Sequence, residues 1–372
     1  MAKSDRYDLS RPTPRKKIAA PVMPYEPRDP VSYRPGIGLI ACGGITFHHL
    51  TAYKKAGYRV LGLCDLKRDR AEARRTEFYP DATVYTDYRE LLKRDDIEVV
   101  DIATHPTERA PLIEAALKAG KHVLSQKPFV TDLDIGQKLV DLAARHKRKL
   151  AVNQNGRWAP HFSCIRHVIQ AGILGELMAA HLSVHWDHSW IKGSEFEKVY
   201  HVVLYDFAIH WFDIVTQFFG DRDPERVFAS VAQAPGQTIR PPLLGQALIE
   251  YPQGQATLVF DAAVRFGAQD RTYAAGTEGT ITSVGPDLGK QKVTLFTAAG
   301  YATPELKCAW FDDGFHGTMA ELLCAIEEGR EPANSARGNL RSLALCFAAV
   351  ASADTGEPVT PGSTRQLPSG HS

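Results

Sequence analysis

No stretch of this chain reaches the ~18 consecutive apolar residues that cross a bilayer, and no run of one charge sign stands out along it. Lys and Arg together number 44 against 43 Asp and Glu, a formal net charge of +1. That near-balance supplies no field to draw a nucleic acid or an anionic membrane surface, so neither is expected as a partner. Cysteine is sparse and scattered at positions 42, 64, 164, 308, 324 and 346, without a Cys-x-x-Cys pair. Most of these sit in apolar runs, which reads as buried free thiols in a reducing cytoplasm. The basic, polar first seventeen residues and the short run at 18–23, broken by Pro21, do not make a signal peptide.

What is present is ordinary globular material, 44% hydrophobic and 23% charged. At 372 residues it exceeds one common core, so two domains are expected. Residues 1–35 carry prolines at 12, 14, 21, 24, 27, 30 and 35 and show no periodicity. They read as an extended arm, either disordered or laid across a partner subunit or the second domain, with Tyr25 and Tyr33 as anchors. From 36 to 155, short apolar strands at 38–42, 59–64, 99–103, 122–125 and 150–153 alternate with amphipathic helical stretches. That rhythm predicts right-handed βαβ units and an α/β, doubly wound parallel sheet, the Rossmann architecture for nucleotides. From 156 to 372 it changes. Strand-like runs at 226–232, 245–251, 255–264, 271–275, 279–283 and 292–297 include a hairpin at Pro252-Gln-Gly254. This predicts an α+β domain with an open, mostly antiparallel sheet, its free face suited to a homodimer or homotetramer interface. Helices are expected at 203–219, 315–328 and 337–355, the last a candidate to pack back on the first domain.

A Gly-x-Gly-x-x-Gly/Ala match at Gly36-Ile-Gly38-Leu-Ile-Ala41 is misplaced, because it falls on the strand and not after it. The turn that fits is Ala41-Cys42-Gly43-Gly44-Ile45-Thr46, whose glycines let backbone approach a pyrophosphate at a helix N-terminus. Asp65 closes the second strand, where a carboxylate accepts from a ribose hydroxyl and repels a 2′-phosphate. NAD is therefore expected over NADP, a preference tempered by the neighbouring Lys67 and Arg68.

Lys127 follows a strand at the ligand-binding edge of the parallel sheet, placed to hydrogen-bond a reacting oxygen. Asp206 and His210, four apart in an otherwise apolar segment, share one helix face. Burying both needs a reason: either a mutually satisfied core pair, or an acid/base histidine oriented by the aspartate. Asp213 reads as structural. Between the domains, Asn153-Gln-Asn-Gly-Arg-Trp158 and His185-Trp-Asp-His-Ser-Trp190 offer amides, Arg and aromatic faces of the kind sugars need. Asn155, Arg157, Trp158, Trp186 and His188 are the substrate candidates. His181, His185 and His188 lie on a strand running into a loop, not in a ligand cluster, so no metal is expected.

Together these motifs resemble the glucose–fructose oxidoreductase / inositol dehydrogenase / rhizopine catabolism (Gfo/Idh/MocA) family across about 36–362. The residues carrying the likeness are Gly38-Leu-Ile-Ala-Cys-Gly-Gly-Ile45, Cys64-Asp65, Asp101-Ile-Ala-Thr104, Gly120-Lys-His-Val123, Gln126-Lys-Pro128 and Asp206-x-x-x-His210-x-x-Asp213. Gly172-Ile-Leu-Gly-Glu176 and Gly356-Glu-Pro-Val359 add to it. The resemblance implies NAD(H) or NADP(H), reversible oxidation of a secondary alcohol of a sugar, polyol or glycoside, and Lys127, Asp206 and His210 as the catalytic set. It also implies cofactor contacts from Thr104, His105, Gln126 and Lys127. The chain departs from the family pattern at Gln126, usually Glu, at Thr104-His-Pro106, usually Thr-Pro-Asn, and at Tyr200-His-Val-Val, where glycines are usual. Two other readings stay open: a redox-neutral enzyme that oxidises transiently with tightly bound NAD, and a ligand-sensing regulator without chemistry.

Overall fold

The computed structural model describes residues 16–367, so expectations for 1–15 fall outside the described residues. Its first half is a strict alternation. In order come β1 (Gly36–Ile40), α1 (Thr46–Lys55), β2 (Arg59–Cys64), α2 (Arg68–Phe78), β3 (Thr83–Tyr85) and α3 (Tyr88–Leu92). β4 (Ile97–Ile102), α4 (Pro106–Lys118), β5 (His122–Gln126), α5 (Leu133–Arg145) and β6 (Leu150–Asn153) follow. The strands form one parallel sheet in the order β3-β2-β1-β4-β5-β6. Both faces are covered by helices, which is why β1, β5 and β6 are buried along their whole length. The order reverses between β1 and β4, and the crevice beyond their carboxyl ends is where such sheets hold ligands.

α6 (Pro160–Gln170) and β7 (Leu177–His185) lead into the second half. The helix expected over 203–219 is interrupted: Val203–Phe207 is a π turn, and α7 (Ile209–Phe219) resumes after Ala208. Its mark is the wide hydrogen bond from Ala208 N to Val203 O, 2.8 Å. β8 (Arg226–Ala232), β9 (Leu244–Tyr251), β10 (Gly254–Asp261), β11 (Gln269–Gly276), β12 (Gly279–Gly285), β13 (Lys292–Thr297) and β14 (Gly300–Ala302) complete a second sheet. Its order is β14-β13-β12-β11-β7-β10-β9-β8, antiparallel throughout except for the β7–β10 pair. Gln253, at positive φ, turns the β9–β10 hairpin.

α8 (Trp310–Glu327) and α9 (Ala336–Thr355) tie the halves together. The sequence marked only the last helix for this, but both do it. Leu340 of α9 packs where Gly136 of α5 has no side chain. On α8, Phe315 sits 4.6 Å from the His49 ring of α1. The arm, over 16–35, lies on its own chain. Ile18 N bonds Tyr301 O at 2.9 Å, and Tyr25 Oη accepts from Lys307 N. Glu327 of α8 accepts from Val31 N, Ser32 N, Ser32 Oγ and Tyr33 N at 2.7–2.8 Å.

Candidate active site

The glycine turn leaves β1 through Ala41, a non-glycine residue at φ +72°, whose N–H bonds Cys64 O at 2.8 Å. A Cβ placed on Gly43 or Gly44 would meet no atom within 4 Å. The turn is thus an open cradle at the N-terminus of α1, and it fits a dinucleotide pyrophosphate. Asp65 stands at the end of β2 with both oxygens fixed by backbone, Oδ2 accepting from Cys42 N and Oδ1 from Lys67 N, each 2.8 Å. Arg68, one of the cations expected to temper the NAD preference, is engaged with Glu72 at 3.1 Å. Thr104 and His105 stand at the end of β4, on the other side of the crevice; His105 is exposed, directly before α4. The Gly36/Gly38 match lies on β1, where those glycines let Asp96 and Leu91 come close.

Below the crevice a cavity of about 230 Å³ opens between the two halves. It brings together Ile45, Gln126, Lys127, Asn155, Trp186, His188, Asp206 and His210 of the predicted residues. Lys127 Nζ donates to Asp206 Oδ2 at 3.2 Å and to the Asp206 carbonyl at 3.0 Å. The π turn thus presents both its carboxylate and its carbonyl to the lysine. This corrects the expected Asp206–His210 pair: the carboxylate is engaged by Lys127, which it orients instead. His210 Nδ1 is enclosed without a partner among the described residues. Burial, and secondarily the charge on Lys127, hold the His210 imidazole well below its ordinary pKa, so it is neutral at neutral pH.

Two of the predicted substrate residues do not reach the cavity. Arg157 is fully buried, its Nε and Nη2 donating to Asp213 at 2.6 and 2.7 Å. Trp158 is packed against Gly317, under the Arg166 guanidinium. An interdomain Arg in a polar motif looked like a hydroxyl donor; its partner, 56 positions away, decided otherwise.

The sequence also left residues unread. Fully buried Arg109 donates to the carbonyls of Thr104, Gln126 and Pro128, clamping the loop that carries Lys127. Asp101 accepts from His49 Nδ1 and from Tyr53 Oη, each 2.7 Å. His49 Nε2 faces the amides of Gln126 and Asn153 at 3.2 and 3.3 Å, so Gln126 Oε1 turns to the Lys127 N–H, 2.7 Å away. The signal was there: a carboxylate inside the apolar β4, and His49 and Tyr53 four apart on α1, all need buried partners.

Residues 36–154 match an oxidoreductase family with an NAD-binding Rossmann fold, and 162–282 match the GFO/IDH/MocA C-terminal domain. The chain belongs to the Gfo/Idh/MocA family. It is therefore an NAD-dependent oxidoreductase with a Rossmann domain and a second, mostly antiparallel sheet. Among its relatives is a D-apiose dehydrogenase of Paraburkholderia graminis, 26% identical over 348 residues that cover 86% of this chain and 88% of that one. An inositol 2-dehydrogenase of Rhizobium meliloti is 27% identical over 69% of this chain and 78% of its own length. A solved oxidoreductase from Agrobacterium radiobacter, in complex with NAD+, L-tartaric acid and magnesium, shares the fold. Its TM-score is 0.81 at 21% identity, over 89% of this chain and 99% of that one. Among the described residues of this Gfo/Idh/MocA protein, no helix is long and apolar enough to cross a membrane.

Proposed function

We propose that the protein oxidises a secondary alcohol of a sugar, polyol or glycoside to a ketone or lactone, with Lys127 and His210 managing the proton. One observation carries the reading: Lys127 Nζ is held by Asp206 in the same cavity as a neutral, unpartnered His210, beneath the dinucleotide cradle. The nicotinamide of bound NAD supplies the hydride acceptor for the carbinol carbon. Lys127, as the ammonium, donates a hydrogen bond to the reacting oxygen and orients it. His210 accepts the hydroxyl proton as the C–H bond breaks and the C=O forms; in reverse it returns that proton. Asp206 keeps the Lys127 amine directed into the cavity, and Arg109 holds the loop beneath it. Cys42, Gly43, Gly44, Ile45, Asp65, Thr104, His105, Gln126 and Lys127 are the proposed cofactor contacts, and Asn155, Trp186 and His188 the substrate contacts. Asp65 favours NAD over NADP. The relatives named for inositol and apiose support the substrate class.

The outer face of the second sheet carries exposed Phe228, Leu248, Tyr273 and Val284, and we assign it to a second copy of the chain, in a homodimer or homotetramer. Six free thiols, five of them buried, support a cytoplasmic setting. The test is reduction of NAD and of NADP, separately, against aldoses, inositols, sugar acids and glycosides. Turnover with one group, lost in Lys127→Ala and His210→Ala, is expected. No turnover, with NAD that co-purifies and survives dialysis, would replace this reading with a redox-neutral one.

A further inference from the structure

A sugar ring presents hydroxyls all round, and a pocket that buries it must answer each one or leave it unpaired. The groups that could answer here are few and lie at one end. Lys127 and Asp206 are bonded to each other. Asn155 accepts the Trp310 indole N–H at 2.7 Å, and the Trp310 ring lies 5.5 Å from His210. Gln126 is occupied at both ends of its amide, by His49 and by Lys127 N. Arg157, the one guanidinium expected among the substrate contacts, is withdrawn to Asp213.

The rest of the cavity is an aromatic wall. Trp186 stacks on His188 at 5.5 Å and 12°, and His188 lies 4.5 Å from Phe207. Trp190 continues the wall, 6.2 Å from Phe207 and edge-on to Phe196 at 5.5 Å. Burial pushes the His188 imidazole down to about 4, so this ring adds no charge to the wall at neutral pH. At the mouth, Trp190 is 58% exposed and Phe311, which also lines the cavity, is 45% exposed. Large aromatic side chains open to solvent at one concavity are the mark of a ligand with an apolar body.

We propose that the substrate is a glycoside with an aromatic aglycone. Its carbinol carbon sits at the Lys127–Asp206–His210 end, and its flat ring lies along Trp190, Phe196 and Phe207. This rests on the reading of the cavity as the alcohol site. It adds that recognition comes mainly from the part of the molecule that does not react. Planar stacking favours an aryl group over an alkyl one of small area.

The test pairs methyl and phenyl glycosides, α and β, of D-glucose, D-galactose and D-xylose. Two quantities are read: kcat/KM for NAD reduction, and binding to the NAD-loaded protein by calorimetry. At least about a tenfold phenyl-over-methyl preference is expected in one pair, falling toward unity in Trp190→Ala and in Phe196→Ala. Trp190 is exposed enough that its loss leaves the core intact, and a thermal melt of each variant checks this. Equal kcat/KM and equal binding within every pair would overturn the proposal, and so would a preference that survives both substitutions. The binding arm separates the two claims. Tighter phenyl binding without any NAD reduction keeps the aromatic subsite and removes the alcohol oxidation; reduction without aryl preference does the reverse.

Discussion

Removing the Asp213 carboxylate decides whether Arg157 serves the substrate or the frame. Both side chains are 1% exposed, and Asp213 also accepts from Ser342 Oγ at 2.7 Å. Asp213→Ala therefore strands a guanidinium in a medium that cannot solvate it, a loss of about 3–5 kcal/mol. For a chain of this size each kcal/mol moves the melting midpoint by about 1–2 °C, so a fall on the order of 5 °C is expected. Arg157→Met leaves the carboxylate unpaired and should cost a comparable amount. The double replacement Arg157→Met with Asp213→Leu removes both charges and should recover most of the loss, because a buried ion pair is often worth no more than well-packed apolar groups. The assay is thermal melting of the three variants at fixed NAD, with kcat/KM taken well below each midpoint. The frame role requires the midpoint to fall while kcat/KM stays within about threefold of the parent. A variant that melts like the parent but loses tenfold or more in KM would return Arg157 to the substrate and refute the reasoning.

Lys127→Ala and His210→Ala should each lower kcat by about 10²–10⁴-fold, with the dissociation constant for NAD little changed in His210→Ala, measured by fluorescence titration. Asp65→Ser should narrow the NAD-over-NADP ratio of kcat/KM by at least about tenfold, since the carboxylate that excludes a 2′-phosphate is gone. Burial depresses His122 to about 4 and His161 to about 3, and depresses His210 as well. These rings bind protons in the unfolded chain near the ordinary 6.5 but not in the folded one. Their stability contribution is thus full above 6.5 and drains away as the pH falls from there toward their folded values. Melts at pH 7.5 and 5.5 should show a lower midpoint at the acid value; an unchanged or higher one contradicts the assignment. Glu327 is held down to about 2, first by the Ser32 N–H and then by the Ser32 hydroxyl and the other arm donors. Glu327→Ala should release the arm, read as faster limited proteolysis within 20–34 without loss of the folded remainder.

The parallel sheet was legible because its strands are buried on both faces and so appear as unbroken apolar runs separated by helices of steady length. What escaped was short or interrupted. Thr83–Tyr85 is three residues of mixed polarity, held by pairing with Gly62, Leu63 and Cys64, and no local pattern marks it. α4 begins at Pro106, ahead of any apolar period, because proline at the first helical position replaces a donor the helix would leave free anyway. α8 begins at Trp310, five residues before its predicted start, because its first turn buries Trp310 and Asp313 while Phe311 and Asp312 stay exposed, so no apolar period marks it.

The candidate site shows a sharper division. Residue types were readable one at a time, since a carboxylate or imidazole in apolar sequence must have a partner; the partners were not. Asp206 was paired on paper with His210, because 3.6 residues per turn aligns positions four apart. In the fold Lys127, 79 positions away, takes both the carboxylate and the carbonyl of Asp206. The consequence is chemical. Had Asp206 bonded His210, the imidazole would have been oriented and its protonated form favoured. With the aspartate on Lys127, the lysine is the oriented group and the histidine stays neutral, and the proposed reaction uses that division. The aromatic wall was legible only in part: the His185–Trp190 stretch offered Trp186 and His188 as substrate candidates, whereas Phe196, Phe207 and Phe311 lie in other stretches that carried no such signal. Only the tertiary fold makes them one surface, and that surface argues for an aromatic substrate.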